Sequence, residues 1–214
     1  MRTIHKGREP RSLTEHRSIP GSNYDNYSDK DTLRTSLVSE QRGLCCYCLN
    51  RIRAEFRLMK VEHWHCQDTY PTEQLNYDNL LGACMGNEGN GPSQQHCDTR
   101  KGNRDLSRNP ANPEHRVEEL VRYPGDGSIV SDDVSFDAEL NDVLNLNLPF
   151  LKSNRKATLD AFIQAIAKHG PIPLTKWERW LQEWSGASTT GDLRPFCQVV
   201  VCWLTKKLAR AARH

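Results

Sequence analysis

Residues 45–101 contain a dense series of side chains that ligate metal ions or transfer protons. In chain order they are Cys45, Cys48, Glu62, His63, Asn79, Cys84, Cys97, Asp98 and Lys101. Six of the eight cysteines of the chain lie between positions 45 and 97. Disulfides are rare in reducing compartments, where clustered cysteines more often ligate a metal or take part in catalysis. The series therefore predicts metal chemistry rather than a disulfide framework.

Four of these cysteines fall into two couples that suit a zinc ion. The four are Cys45, Cys48, Cys84 and Cys97. Zinc takes four thiolates in a tetrahedron, and a Cys-x-x-Cys turn supplies two of them from one knuckle. The second couple is wide, with twelve residues between its members, and Cys46 or His96 could replace a ligand. We expect a structural zinc that stabilises this loop-rich segment, the alternative being four buried free cysteines.

The pair Glu62-His63 is the candidate for acid–base chemistry. Hydrolysis of a phosphodiester needs a base for water and a cation for the charge on the phosphate. A neutral histidine can be that base, and carboxylates such as Glu62 and Asp98 suit Mg²⁺ or Mn²⁺. If zinc joins the two cysteine couples, Asp98 is held beside the zinc site and near the strand that carries Glu62. The pattern thus favours a metal-dependent hydrolase.

The order of these residues resembles the HNH (ββα-metal) endonucleases, particularly members with a four-cysteine zinc site. The resemblance implies that His63 is the general base and that Glu62 and Asp98 bind the catalytic Mg²⁺ or Mn²⁺. It also implies that Asn79 braces the intervening loop and that Lys101 matches the basic residue that follows the last ligand. The expected fold is therefore α+β, with a zinc-stapled ββα-metal core and a mainly helical C-terminal region.

The sequence departs from the family at four positions. Many members have Asp where Glu62 stands and Asn or His where Asp98 stands. A proline is common at the position of Cys66, and His65 is an additional histidine that could contact phosphate or assist the base. The departures leave open which metal is used.

Two further segments resemble one group within that family. They are the opening Ile4-His5-Lys6-Gly7-Arg8-Glu9-Pro10 and the run Gln41-Arg42-Gly43-Leu44-Cys45-Cys46-Tyr47-Cys48. Together they look like the HNH subunit of Septu-type anti-phage systems (PtuB-like), some of which are encoded beside retrons. The resemblance covers roughly residues 1–110. It implies an effector that acts with an ATPase partner and is restrained until infection.

The elements that must position these residues divide the chain into three parts. Residues 1–28 read as an extended basic arm, residues 29–110 as the nuclease domain, and residues 111–214 as a mainly helical region that could dock a partner. Within the nuclease domain the patterns predict a helix over 32–42, strands within 44–64 and a helix over 97–106.

The C-terminal region has strand-like pieces and then helical periodicity. The strand-like pieces are 117–123 and 128–134, and the helices are expected over 155–169, after Thr175 and over 196–212. Trp177, Trp180, Leu181 and Trp184 recur at helical spacing. A buried core stripe explains them more simply than a partner-docking face does. For the basic end from Lys206 to Arg213, a solvated helix end is favoured over a phosphate contact.

The distribution of charge favours a polyanionic substrate. Residues 1–60 hold 12 Lys and Arg against 7 Asp and Glu, and residues 151–214 hold 11 against 4. Residues 61–111 hold 4 against 7, and residues 112–150 hold 2 against 9. Basic flanks around an acidic centre suit nucleic acid held by the flanks and a cation held at the centre.

The candidate nucleic-acid contacts are His65, Arg100, Lys101 and Arg104. DNA is the default substrate of the motif, and RNA, including tRNA, is the competitor. The alternative function is a zinc-stapled nucleic-acid-binding module without catalysis. No apolar run approaches the roughly 20 residues of a membrane span, and the basic start lacks a signal peptide. We therefore expect a cytoplasmic protein without a membrane partner.

Overall fold

The computed structural model describes residues 1–188 and 190–212 and has an α+β architecture. Its helices are α1 (Arg11–Arg17), α2 (Lys30–Glu40), α3 (Cys97–Lys101), α4 (Val117–Leu120), α5 (Val134–Ala138), α6 (Pro149–Ala167), α7 (Leu174–Ser185) and α8 (Cys197–Ala211). Its strands are β1 (Lys60–His63), β2 (Leu80–Ala83), β3 (Val121–Arg122) and β4 (Val130–Ser131). Strands β1 and β2 pair antiparallel, as do β3 and β4. The expected mixture of helices with small sheets is confirmed.

Helix α2 delivers the chain to the first cysteine couple. The Asp29 side chain accepts a hydrogen bond from the Thr32 backbone N–H, which satisfies one of the unpaired donors at the start of the helix. Just beyond the helix, the buried Gln41 amide donates to the Gly82 carbonyl at 2.7 Å. It also accepts from the Gly82 backbone N–H at 2.6 Å. This double hydrogen bond fixes the end of α2 against the middle of β2.

The pairing of β1 with β2 decides which side chains face α3. Glu62 is opposite Leu81, and His63 is opposite Leu80. Side chains alternate between the two faces of a strand, so Lys60 and Glu62 share one face and His63 lies on the other. Both Lys60 and Glu62 form ion pairs with residues of α3. The short hairpin therefore presents an acid to α3 and a histidine to the opposite side.

The N-terminal segment is not wholly extended as expected. It contains α1, which begins after Pro10 and buries Leu13 completely. Met1 and Ile4 are also buried, and the Ile4 backbone N–H donates to the Pro110 carbonyl at 2.8 Å. A buried leucine stabilises a short helix that its local sequence would not hold alone.

Three element predictions need correction. Residues 44–64 are irregular up to β1, apart from two isolated bridges, Leu44 with Arg51 and Phe56 with Met59. The helix expected over 97–106 ends at Lys101, because Gly102 takes a φ of 56° that stops it. The strand expected over 117–123 begins as α4, and only Val121–Arg122 is extended.

The C-terminal helices pack through aromatic side chains. The Phe162 ring of α6 contacts Trp180 and Trp184 of α7 edge-on, at centroid distances of 5.9 and 5.5 Å. It contacts Trp203 of α8 at 5.9 Å. The tryptophans are half-buried and pack against the main core, which agrees with a core stripe. Arg213 lies outside the described residues. Within the described ranges, no helix combines the length and apolar character needed to cross a membrane.

We predict that Phe136→Ala lowers the free energy of unfolding by about 3–5 kcal/mol. Phe136 is fully buried in α5, so the substitution leaves a cavity in the main core. Val134→Ala in the same helix should change it by less than about 0.5 kcal/mol, because Val134 is exposed. Chemical denaturation of both variants measures the difference. Equal losses would contradict this placement of the core.

Candidate functional site

The four cysteines of the two couples meet in one buried cluster. Their sulfur atoms all lie within 4.8 Å of one another. The Cys45 and Cys97 sulfurs are 3.8 Å apart, and those of Cys48 and Cys84 are 3.7 Å apart. A tetrahedral zinc with Zn–S bonds of about 2.3 Å places its sulfurs about 3.8 Å apart. The cluster is therefore a candidate zinc site with the expected four ligands.

Backbone amides surround the sulfurs as thiolate ligands require. The Cys84 backbone N–H donates to the Cys45 sulfur at 3.3 Å, and the Asn50 N–H donates to the Cys48 sulfur at 3.4 Å. Hydrogen bonds to the charged form of a group favour that form. Leu49 closes the knuckle with a φ of 65°, in the left-handed region.

The two alternative ligands lie outside the cluster. Cys46 is buried, but it is not among the four clustered sulfurs. Its backbone N–H donates to the Gly82 carbonyl and so ties the knuckle to β2. The His96 Nδ1 lies 3.1 Å from the Cys97 sulfur, where it contacts a ligand atom. The geometry thus favours the four-cysteine set, with His96 as a neighbour of that set.

Glu62 is buried behind the knuckle with two partners on one oxygen. The Tyr47 hydroxyl donates to Glu62 Oε1 at 2.7 Å, and the Lys101 Nζ lies 3.0 Å from the same atom. Burial, and then the adjacent Asp98 carboxylate, raise the pKa of Glu62 well above its usual range. Lys101 and the Tyr47 hydroxyl act in the opposite direction. Glu62 and Asp98 therefore form a close carboxylate pair.

Asp98 is the more accessible member of this pair. It follows the ligand Cys97 in the first turn of α3, and its side chain is 22% exposed. Lys60 Nζ lies 3.7 Å from Asp98 Oδ2 and 2.7 Å from Glu88 Oε1. Two oxygen donors, one buried and one facing solvent, are a donor set that suits Mg²⁺ or Mn²⁺.

His63 lies on the other face of β1 with its ring held in place. The Nε2 atom is 3.0 Å from the Gln74 carbonyl oxygen, and the Tyr24 ring packs edge-on at a centroid distance of 4.5 Å. A carbonyl only accepts, so the hydrogen of the neutral ring lies on Nε2 and Nδ1 keeps its lone pair. Burial lowers the pKa of His63 to about 4, which keeps the ring neutral at neutral pH.

Asn79 fastens the loop between β1 and β2. Its Oδ1 accepts from the His65 backbone N–H at 2.7 Å, and its Nδ2 donates to the His65 carbonyl at 2.9 Å. A further contact reaches the Glu73 carbonyl at 3.3 Å. His65 itself binds Glu73 through Nδ1 at 2.8 Å and stacks on the Tyr70 ring. Asn79 thus occupies the position from which it can brace the loop.

The three basic residues after Cys97 have different surroundings. Lys101 is buried, and its ammonium group donates to the His63 carbonyl at 3.0 Å as well as contacting Glu62. The Arg104 guanidinium donates to carbonyl groups, including those of Lys101 at 3.1 Å and Asp142 at 2.9 Å. Arg100 is half-buried and donates to the Pro92 carbonyl at 3.2 Å. Lys101 therefore belongs to the interior of the site.

Sequence reasoning missed four contributors to the site. They are Tyr24, Tyr47, Lys60 and the carbonyl of Gln74. Tyr47 had a visible signal, because it stands between the ligands of the Cys-x-x-Cys knuckle. The other three come close only through the fold, and no spacing in the sequence marks them.

Comparison with models of known protein families finds no match. One known relative is the Septu protein PtuB of Bacillus thuringiensis, which is 31% identical to this chain over 81 residues. The matched residues are 38% of this chain and 28% of that protein. The chain is thus similar to a Septu protein over part of its length, and less than a third of the relative is matched.

We predict that Cys84→Ser abolishes stoichiometric zinc binding, because it removes one of the four clustered ligands. The thermal unfolding midpoint should fall by about 10 °C or more. A structural zinc site contributes several kcal/mol, and 1 kcal/mol corresponds to roughly 2–4 °C in a chain of this size. Elemental analysis and calorimetry of the purified protein measure both effects.

Cys66→Ser is the matched control for this prediction. Cys66 is also buried, but its sulfur contacts the Thr69 hydroxyl at 3.2 Å and lies outside the cluster. This variant should retain one zinc per chain. Full zinc content in Cys84→Ser would show that the cluster is not the metal site.

Proposed function

We propose that the protein is a metal-dependent endonuclease of the HNH type. The supporting observation is the joint placement of His63, Glu62 and Asp98 on an antiparallel hairpin and the helix after it. The His63 ring is neutral and fixed through Nε2. Glu62, its neighbour in sequence, forms a carboxylate pair with Asp98, whose charge also acts on the ring. Such a set supplies a base and a cation site from one short ββα unit.

His63 is the general base in this proposal. Its Nδ1 accepts a proton from a water molecule, and the resulting hydroxide attacks the phosphorus atom. Tyr24 and the Gln74 carbonyl hold the ring so that Nδ1 keeps its orientation. The bond from phosphorus to the 3′ oxygen breaks, which leaves a 5′-phosphate and a 3′-hydroxyl.

Glu62 and Asp98 are the residues that would hold the catalytic cation. A divalent ion such as Mg²⁺ or Mn²⁺ stabilises charge on the phosphate and on the leaving oxygen when it is bound. The fit rests on the carboxylate pair, in which burial and mutual repulsion disfavour ionisation of Glu62. A positive charge between the two groups relieves that repulsion.

Lys101 acts on Glu62 rather than on the substrate in this proposal. Its buried ammonium group bridges Glu62 and the His63 carbonyl, so it holds the acid and the base in register. The proposed substrate surface therefore keeps His65 and Arg100 and leaves out Lys101. Arg104 is exposed, but its hydrogen bonds to carbonyl groups favour a structural role over a substrate contact.

We further propose that the protein is an effector of anti-phage defence that acts with an ATPase partner. The support is the partial similarity to the Septu protein PtuB. DNA is the proposed substrate, with RNA or tRNA as the competing polymer.

We predict that the protein cleaves nucleic acid in the presence of Mg²⁺ or Mn²⁺ and that His63→Ala loses about 10²- to 10⁴-fold in rate. The loss follows from removal of the general base. The assay uses DNA and RNA in single- and double-stranded form, with and without any co-encoded neighbour protein. His169→Ala is the matched control, because His169 is exposed on the C-terminal helical region and should keep full activity.

Two outcomes would contradict the nuclease proposal. Equal cleavage by the parent protein and His63→Ala would remove His63 as the base. Binding of nucleic acid by both proteins without cleavage under any condition would support the non-catalytic binding module instead.

We predict that Asp98→Asn raises the Mg²⁺ concentration at half-maximal cleavage by about 10- to 100-fold or more. Losses of that size follow even when only a partner of a metal ligand is removed. Titration of cleavage rate against Mg²⁺ measures the shift. Asp105→Asn should leave the curve unchanged, because Asp105 is exposed and binds the Tyr70 hydroxyl. An unshifted curve for Asp98→Asn would place the cation elsewhere.

A further inference from the structure

Residues 53–59 form a loop that carries an aromatic ring outward. The Phe56 side chain is 70% exposed. The exposed large hydrophobic side chains of the described chain include one other aromatic residue, Phe150, at 39%. Exposing a phenylalanine to water is unfavourable, so a ring this open on an otherwise polar loop calls for an explanation.

The loop is built to hold this ring in place. The Glu55 backbone N–H donates to the Arg53 carbonyl at 2.8 Å, and the Leu58 N–H donates to the Glu55 carbonyl at 3.0 Å. Arg57 takes a φ of 75°, in the left-handed region that non-glycine residues rarely adopt. Phe56 also forms a bridge with Met59, which is buried. The tip is thus a tight turn whose backbone is tied to a buried residue.

Guanidinium groups flank the ring. The Arg34 guanidinium lies 5.5 Å from the Phe56 ring centroid, and that of Arg57 lies 5.8 Å away. The Arg34 side chain is only 11% exposed, and its Nε has no hydrogen-bond partner among the described residues. Asp31 binds one of its terminal nitrogens at 2.7 Å. Two guanidinium groups beside an open ring suit a phosphate next to a base.

The loop leads directly into the proposed active site. It precedes β1, whose first residue, Lys60, lies 3.7 Å from Asp98. On the other side, Arg34 is close enough to Tyr24 for its charge to act on the tyrosine hydroxyl. The Tyr24 ring contacts His63 at 4.5 Å. Arg34 thus lies near both Phe56 and Tyr24, and this series of rings and cations links the loop to His63.

Lys30 extends this series at the Tyr24 end. Its ammonium group lies 4.6 Å from the Tyr24 ring centroid. Alternation of aromatic rings with cations is the arrangement by which proteins bind single-stranded nucleic acid, since bases stack on rings and phosphates pair with cations. A protein partner would use an exposed ring as well, but the flanking arginines, with Arg53 and Arg57 both exposed, favour a polyanion.

We propose that Phe56 stacks on an unpaired nucleobase of the strand that is cleaved at His63. The site would then act on single-stranded or unpaired stretches of DNA or RNA. This inference rests on the proposed nuclease function, because it names the class of substrate for the same site. Phe56 is a substrate-positioning residue in this assignment and has no part in the proton transfer.

The test measures binding apart from cleavage. The full-length protein carrying His63→Ala is titrated into a short fluorescein-labelled oligonucleotide that contains 2-aminopurine, as a single strand and as a duplex. Anisotropy reports affinity, and the 2-aminopurine fluorescence reports stacking on a ring. The same titrations are repeated after addition of Phe56→Ala, Phe56→Trp or Leu58→Ala.

Phe56→Ala should weaken binding of the single strand by about 5- to 150-fold, the fold-change that corresponds to one base–aromatic stack. It should also remove the fluorescence change of 2-aminopurine and leave duplex binding nearly unaltered. Phe56→Trp should restore both signals. Leu58→Ala is the control from the same loop, since Leu58 is also exposed, and it should behave as the parent.

Unchanged affinity and fluorescence in Phe56→Ala would overturn the proposal, as would an equal loss on duplex and single strand. The stacking site and the nuclease activity can fail independently of each other. A Phe56-dependent stacking signal in a protein that never cleaves would sustain the stacking site and reject the nuclease. Cleavage that depends on His63 with no Phe56 effect would sustain the nuclease and reject the stacking site.

Discussion

Four cysteine sulfurs join three separate parts of the chain, and the position of α3 depends on that junction. The knuckle at Cys45 and Cys48 precedes the hairpin, Cys84 follows the end of β2, and Cys97 begins α3. Helix α3 has only five residues, and the elements before and after it are short. Its own hydrogen bonds are therefore too few to hold it in place. A metal that binds all four sulfurs fixes the first residue of α3 against the hairpin. Asp98 and Lys101 then reach β1 because they lie one and four residues beyond that fixed point.

The charges that this arrangement brings together are costly to bury, which indicates what they are for. Glu62 and Lys101 are both buried, and an ion pair of this kind adds little stability compared with apolar side chains of the same size. It does specify one arrangement, because each group has a further hydrogen bond. The Tyr47 hydroxyl donates to Glu62, and the His63 carbonyl accepts from Lys101. The carboxylate of Glu62 is thereby held at one position relative to the His63 backbone. A site that must place a base and a cation to within a fraction of an ångström gains from such a fixed network.

The grouping of the four cysteines could be predicted from the sequence, because their spacing is itself the chemical signal, whereas the roles of Glu62 and His63 remain predictions. A Cys-x-x-Cys knuckle has few uses inside a reducing compartment, and the Asp29 cap and the 3.6-residue period of α6 and α8 follow local rules. The direction of a single side chain does not follow such rules. Lys101 was expected to contact nucleic acid, yet the one-turn rise of α3 points it at Glu62. The same limit applies to Gln74, which contributes a backbone carbonyl, and to α1, which its burial of Leu13 stabilises.

The contacts between the two halves of the chain show how the knuckle and the substrate face are kept apart. The back of the knuckle is held by the C-terminal region: the Phe196 backbone N–H donates to the Leu49 carbonyl, and Arg51 forms an ion pair with Asp192 at 3.0 Å. The surroundings of His63 come from the N-terminal part of the chain instead, through Tyr24 and its neighbour Lys30. The helical half therefore stabilises the zinc ligands without covering the histidine. Since the core cluster that contains the cysteines extends into α6 and α8, truncation after residue 110 would expose the apolar side of the knuckle. The C-terminal helices are thus part of the scaffold of the site.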